Sequence, residues 1–148
     1  MSLSDSPAGH RGYIASRPVA ASRTPQHVQN LVIRDYAARN GLRYKLSVTE
    51  HAMANCFMQL RLALDELPRL DGLIAYSLFM MPAAFSRRDA VFREVVEAGK
   101  SLHFAVEQVV LQDQDDIGVL HQLWRISQAM GRQDMSGLRA QLLRQEGT

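Results

Sequence analysis

Among its 148 residues the chain has a single cysteine, Cys56, so no intrachain disulfide can form and a reducing compartment is expected. Cys56 sits among apolar neighbours with no base beside it, the setting of a structural thiol rather than a nucleophile. No apolar run approaches the ~20 residues that cross a bilayer, and the N-terminus lacks a hydrophobic signal core. A cytoplasmic location, with no membrane role, is the expectation. Net charge is only +2, too small to imply general binding to nucleic acid. The sequence has no glycine-rich phosphate loop, no dinucleotide fingerprint and no Gly-x-Ser-x-Gly elbow. His27 and His51 have no partner at helical spacing, so neither a metal nor a cofactor is expected.

What is present is ordinary globular material, 47% hydrophobic and 22% charged, enough for one domain with a real core. Residues 1–10 read as a loose tail, 11–130 as one domain and 131–148 as a helical extension. Positive charge is concentrated early. Arg11, Arg17, Arg23, Arg34, Arg39, Arg43 and Lys45 stand against one acid, Asp35.

The organising stretch is Gly12-Tyr13-Ile14-Ala15-Ser16-Arg17-Pro18. Its apolar part reads as a buried strand over 11–16 that stops in a polar loop. Thr24-Pro25 then signals a helix over 25–40, with Thr24 as cap, Pro25 at the first helical position and Gly41 as the stop. Its apolar stripe is Val28, Leu31, Val32 and Tyr36. Further strands are expected over 44–49, 72–79 and 102–106, the third being nearly all apolar, as in a parallel sheet covered on both faces. Helices are expected over 57–67 (stripe Leu60, Leu64, Leu67), from 86 or 87 to 99 (Val91, Val95, Ala98) and from 115 or 116 to 130, ended by Gly131. A short basic helix is expected over 138–144. Alternating strands and helices imply an α/β fold: three layers, a mostly parallel four-stranded sheet with flanking helices, plus a C-terminal helix. The Ile117-Leu120-Trp124 face of that last helix suits docking on its own sheet or on a partner chain, and a dimer is the expected outcome.

Ligands of parallel sheets bind beyond the carboxyl ends of the strands. The first such end holds Ser16 and Arg17, the second Glu50 and His51, the third strand Ser77, and the fourth His103 within it and Glu107 at its end. Their convergence would supply an anion anchor and a general acid or base. Arg17, with Arg23 and Arg11, would hold a phosphate near the helix start, where Gln26 and His27 also lie. Glu50 or His51 would move protons, while Ser16, Gln26 and Glu107 orient hydroxyls. His103, between Leu102 and Phe104, equally fits a hydrogen-bonded core histidine, and Ser77 a small strand residue.

Several stretches carry a resemblance to a family of short bacterial proteins encoded sporadically within carbohydrate-biosynthesis gene clusters. They are Arg11-Gly12-Tyr13-Ile14 with Ser16-Arg17, the run from Pro25 to Tyr36, Leu46-Ser47 with Glu50 and Met53, Tyr76-Ser77-Leu78-Phe79, and Leu102-His103-Phe104-Ala105 with Glu107. The resemblance implies a role in making a surface or secreted sugar.

A second, fold-level resemblance rests on the order strand, Gln-x-x-Gln helix (Gln26, Gln29), strand, Glu, helix, buried strand, helix, strand. It resembles the catalytic domain of serine recombinases, the resolvase type, and implies that Ser16 stands where that family has its nucleophile. The family's arginine just before the serine corresponds to Ile14 or Ala15 here, and its Asp-Arg-x-x-Arg segment is replaced by Leu78-Phe79-Met80-Met81-Pro82. The expectation is therefore a resolvase-like scaffold whose crevice binds or converts a phosphorylated sugar or nucleotide sugar. If it is an enzyme, a cofactor-free isomerisation, epimerisation or hydrolysis suits these groups. The alternatives are a non-catalytic partner of a biosynthetic enzyme and, third, a recombinase-like nucleic-acid binder.

Overall fold

A computed structural model describes residues 8–19 and 22–132. Five strands form one sheet in the order β2-β1-β3-β4-β5. β1 (His10–Ala15) is followed by α1 (Gln26–Arg39), β2 (Tyr44–Glu50), α2 (Met58–Glu66), β3 (Gly72–Ala75), α3 (Phe85–Glu97), β4 (Ser101–Phe104), β5 (Val109–Leu111) and α4 (Gln114–Arg132). The first four strands are mutually parallel, and β5 runs antiparallel to β4. The fold is thus a three-layer α/β arrangement with a mostly parallel sheet and a C-terminal helix.

The strand period of two sends alternate residues to opposite layers. Ile14, Ile74 and Ala105 face α1 and meet Ile33, Tyr36 and Ala37. Tyr13, Leu73, Leu102 and Phe104 face the other way and pack with Leu60, Phe92 and Trp124 from α2, α3 and α4. Phe92 and Leu73 have no exposed surface, and full burial of such a side chain contributes about 2–3 kcal/mol. Gly12 is required where β1 meets β2, because a Cβ there would stand 2.1 Å from Ser47 Oγ.

Several sequence expectations are corrected. The sheet has five strands rather than four: β5 is only three residues long, and the chain reaches it through Gln108 in a left-handed conformation, φ 54°. β3 stops at Ala75 instead of continuing to residue 79. Ser77 Oγ accepts from Phe79 N and Glu107 accepts from Leu78 N, turning Leu78–Met80 into one 3-10 turn. Pro25, not Thr24, is the N-cap of α1, and no side chain caps that helix. The buried face of α1 is Gln29, Ile33, Tyr36 and Ala37, whereas Leu31 is 60% exposed. Gln29 sets this rotation by bonding to the β1 backbone (below). In α3 the inward residues are Arg88, Phe92 and Val95.

α4 begins at Gln114, one or two residues before the expected start. Asp113 Oδ1 accepts from Asp115 N and Asp116 N, and Asp116 Oδ2 accepts in return from Asp113 N, a reciprocal capping box. The helix passes through Gly131 to Arg132 instead of ending there. Ile117, Leu120 and Trp124 are all buried against the chain's own sheet, so the surface expected to drive dimerisation is already covered. The helix expected over 138–144 and most of the tail lie outside the described residues.

Candidate functional site at the strand ends

Ser16 leaves β1 at its carboxyl end and is exposed. The loop that follows is held by Gln29, whose side chain is 1% exposed. Its Oε1 accepts from Ala15 N at 3.0 Å, and its Nε2 donates to Ala15 O at 3.0 Å and Thr24 O at 2.8 Å. One amide thus satisfies β1's last residue and draws the start of α1 over the strand tip. Tyr76 Oη donates to Thr24 Oγ1 at 3.3 Å, tying the end of β3 to the same loop.

Beneath this loop lies a cleft of about 260 Å³ lined by Ser16, Arg17, Arg23, Thr24, Pro25 and Gln26 among others. Gln26 Nε2 donates to Ser16 Oγ at 3.2 Å. The first turn of α1 contains no acidic residue and no side-chain cap, so its first N–H groups and the positive end of its dipole face this region uncompensated. Ser16, Arg17, Arg23 and Gln26 are therefore brought together as a polar, cation-bearing cleft.

Arg17 is divided between structure and cleft. Its Nη1 donates to the carbonyls of Cys56 (2.9 Å), Met53 (3.2 Å) and His51 (3.4 Å), which fixes the loop after β2. Its guanidinium carbon lies 4.7 Å from the centre of the Phe57 ring. Nη2 and Nε make no hydrogen bond to the described residues.

The two glutamates serve the scaffold. Glu50 has no exposed surface. Its carboxylate accepts from Leu60 N (3.0 Å), Gln59 N (3.2 Å), His51 N (3.1 Å) and Tyr13 Oη (2.9 Å). Burial alone would raise its pKa, but these donors outweigh burial and hold it below the ordinary carboxylate value. It is an anionic plug for the N-terminus of α2, and a ligand in the cleft does not reach it. The Cys56 thiol is half-buried, with Sγ 3.8 Å from Glu50 Oε1. Glu107 accepts from Ser77 Oγ at 2.8 Å and Leu78 N at 2.7 Å, so Ser77 and Glu107 together stabilise the turn after β3. His51 and His27 are exposed.

Two expected ligand residues lie elsewhere. Arg11 points from the start of β1 to Glu66, with Nη2 2.7 Å from Oε2, and to Leu46 O at 2.9 Å. His103 lies under α1, where Nδ1 is 2.7 Å from Tyr36 Oη and Nε2 is 3.1 Å from Ser101 Oγ. Burial, and then the neighbouring His10, push its pKa down to about 4. His103 is thus a hydrogen-bonded core histidine. Gln29, Thr24 and Tyr76 were missed as site-building residues. For Gln29 the Gln-x-x-Gln spacing was the only signal, since a glutamine on a helix face carries no mark of burial in sequence. Among the described residues no group of three His, Cys, Asp or Glu is placed to hold a metal ion, and no described helix is long and apolar enough to cross a membrane.

No family model matches the sequence, and no curated protein sequence does. The resemblance to the carbohydrate-cluster family therefore has no support from these comparisons. Solved structures do match. A resolvase family site-specific recombinase from Streptococcus pneumoniae superposes with a TM-score of 0.57 at 10% identity, covering 93% of this chain and 99% of that one. The N-terminal catalytic domain of TP901-1 integrase superposes with a TM-score of 0.58 at 12% identity, covering 81% of this chain and 98% of that one. At such identities the likeness concerns architecture alone: the chain has a resolvase-like α/β fold.

Proposed function

We propose that this protein binds a phosphorylated sugar, free or nucleotide-linked, at the carboxyl edge of its sheet, and that it acts as a binding protein rather than a catalyst. The observation that carries this reading is the cleft beside the uncapped start of α1, where Ser16, Arg23 and Gln26 converge in a space of about 260 Å³. A helix N-terminus with a cation and two hydrogen-bonding side chains suits a phosphate and adjoining hydroxyls. The carbohydrate-cluster resemblance supplies the sugar. Glu50, an expected proton carrier, and Glu107, expected to orient hydroxyls, are committed to backbone N–H groups, which favours binding over isomerisation or hydrolysis. Titration calorimetry with glucose 1-phosphate tests the reading. Arg23→Ala is expected to weaken binding about tenfold, the effect of losing one charge-assisted contact. Unchanged affinity, or no binding by the wild-type protein, overturns it.

A second reading, a recombinase-type DNA-binding module, is favoured by the fold match and by the exposed Ser16 directly after β1. Against it, Arg88, one of the two arginines in the first turn of α3, is 3% exposed and donates to Pro82 O and Ala83 O. It is a scaffold residue. DNA binding would show as an affinity that falls steeply with salt.

A further inference from the structure

Arg17 lines two cavities. One is the polar cleft described above; the other is a larger space of about 470 Å³. The second cavity is walled by Phe57, Phe79, Trp124 and Met81, with Asn55 and Gln128 among its polar residues. Phe79 and Trp124 lie with ring centres 5.3 Å apart and planes tilted by 45°. Arg17 stays on the shared wall because Phe57 and three loop carbonyls hold it there. Nothing in the phosphate-sugar reading uses this aromatic space.

Resting on that reading, we propose that the aromatic cavity holds the base of a nucleotide, so that the ligand is a nucleoside diphosphate sugar rather than a simple sugar phosphate. The chemistry of the two cavities is complementary to such a molecule. A flat heterocycle needs an apolar, aromatic-lined space with a few polar atoms for its edge, and Phe79, Trp124, Asn55 and Gln128 supply both. The diphosphate lies between base and sugar, and Arg17 lines both cavities, with Nη2 and Nε making no hydrogen bond to the described residues. The volume is ample for a base and its ribose. A sugar phosphate alone would leave the apolar walls uncovered.

Trp124, the chain's one tryptophan, reports occupancy of the cavity directly. Wild-type protein is titrated with UDP-glucose, ADP-glucose and glucose 1-phosphate, following tryptophan fluorescence and affinity together. At least one nucleotide sugar should bind about tenfold or more tighter than glucose 1-phosphate, as base stacking on aromatic side chains provides, and should change the Trp124 emission. In Phe79→Leu that advantage should fall below about threefold, while glucose 1-phosphate affinity stays as in wild type. Equal affinity for all three ligands without a fluorescence change overturns this inference and leaves the phosphate-sugar reading standing. Absence of binding by any of the three overturns both.

Discussion

Gln29 and Ala15 form a closed pair: the glutamine amide accepts from the Ala15 N–H and donates to the Ala15 carbonyl, both at 3.0 Å. The side chain takes the place of a neighbouring strand at the tip of β1, and it does so from the first turns of α1. Sheet edge, loop and helix start are therefore one unit. Replacing Gln29 by Leu leaves two buried backbone groups without partners and should cost about 2–4 kcal/mol. Urea unfolding measures it, and a loss below about 0.5 kcal/mol would mean that the pair is dispensable.

Glu50 is the anionic counterpart at the start of α2. Its folded-state pKa lies below the unfolded value, so its stabilisation is fully present above the unfolded pKa and is lost as pH falls through the folded one. Glu50→Gln keeps the shape but presents an N–H₂ group to N–H donors. We expect a loss of about 2 kcal/mol at pH 7 and a flatter stability curve below about pH 4.5. Parallel acid limbs in variant and wild type would contradict this.

His103 acts at higher pH. Its folded pKa is about 4, against 6.5 for the unfolded group, so the unfolded chain binds the extra proton first. Stability is present above about pH 6.5 and declines as pH falls toward about 4, by up to roughly 2 kcal/mol after allowance for partial solvent screening. His10, also lowered by burial, adds in the same direction. Chemical unfolding of His103→Gln between pH 7 and 4.5 should show a shallower decline than wild type, and an identical slope would remove His103 as its source.

Arg17→Ala should loosen the loop after β2, because the carbonyls of His51, Met53 and Cys56 lose their common donor. Amide exchange is expected to accelerate across residues 51–57, with about 1–2 kcal/mol of lost stability. Unaltered exchange would show that the clamp does not hold the loop. Arg17 is consequently a poor residue with which to isolate ligand binding, and Arg23, exposed and without such a clamp among the described residues, is the better one.

Much of the architecture was legible because hydrophobic periodicity is a local property. The β1-loop-α1 unit, the buried runs of β3 and β4 and the Leu60-Leu64-Leu67 face all follow from spacing alone. The residues that were misread are those whose role depends on a distant partner. Glu50 looked catalytic at a strand end until the N–H groups of Gln59 and Leu60 converged on it. Gln29 entered only through the Gln-x-x-Gln spacing, and its role appears where it meets Ala15. Ile117, Leu120 and Trp124 looked available because an apolar helix face carries no record of what covers it. β5 is too short for any alternation to register.

The central claim, a small-molecule phosphate site on a resolvase-like scaffold, is tested most directly by thermal unfolding against sugar phosphates, nucleotide sugars and short duplex DNA at low and high salt. A ligand at about one hundred times its dissociation constant stabilises the fold by about 2.7 kcal/mol, or about 5–10 °C for a domain of this size. The account predicts such a shift with a phosphorylated sugar compound, reduced in Arg23→Ala, and none with DNA. A shift with DNA alone, disappearing at high salt, would contradict it and establish the recombinase-type reading instead.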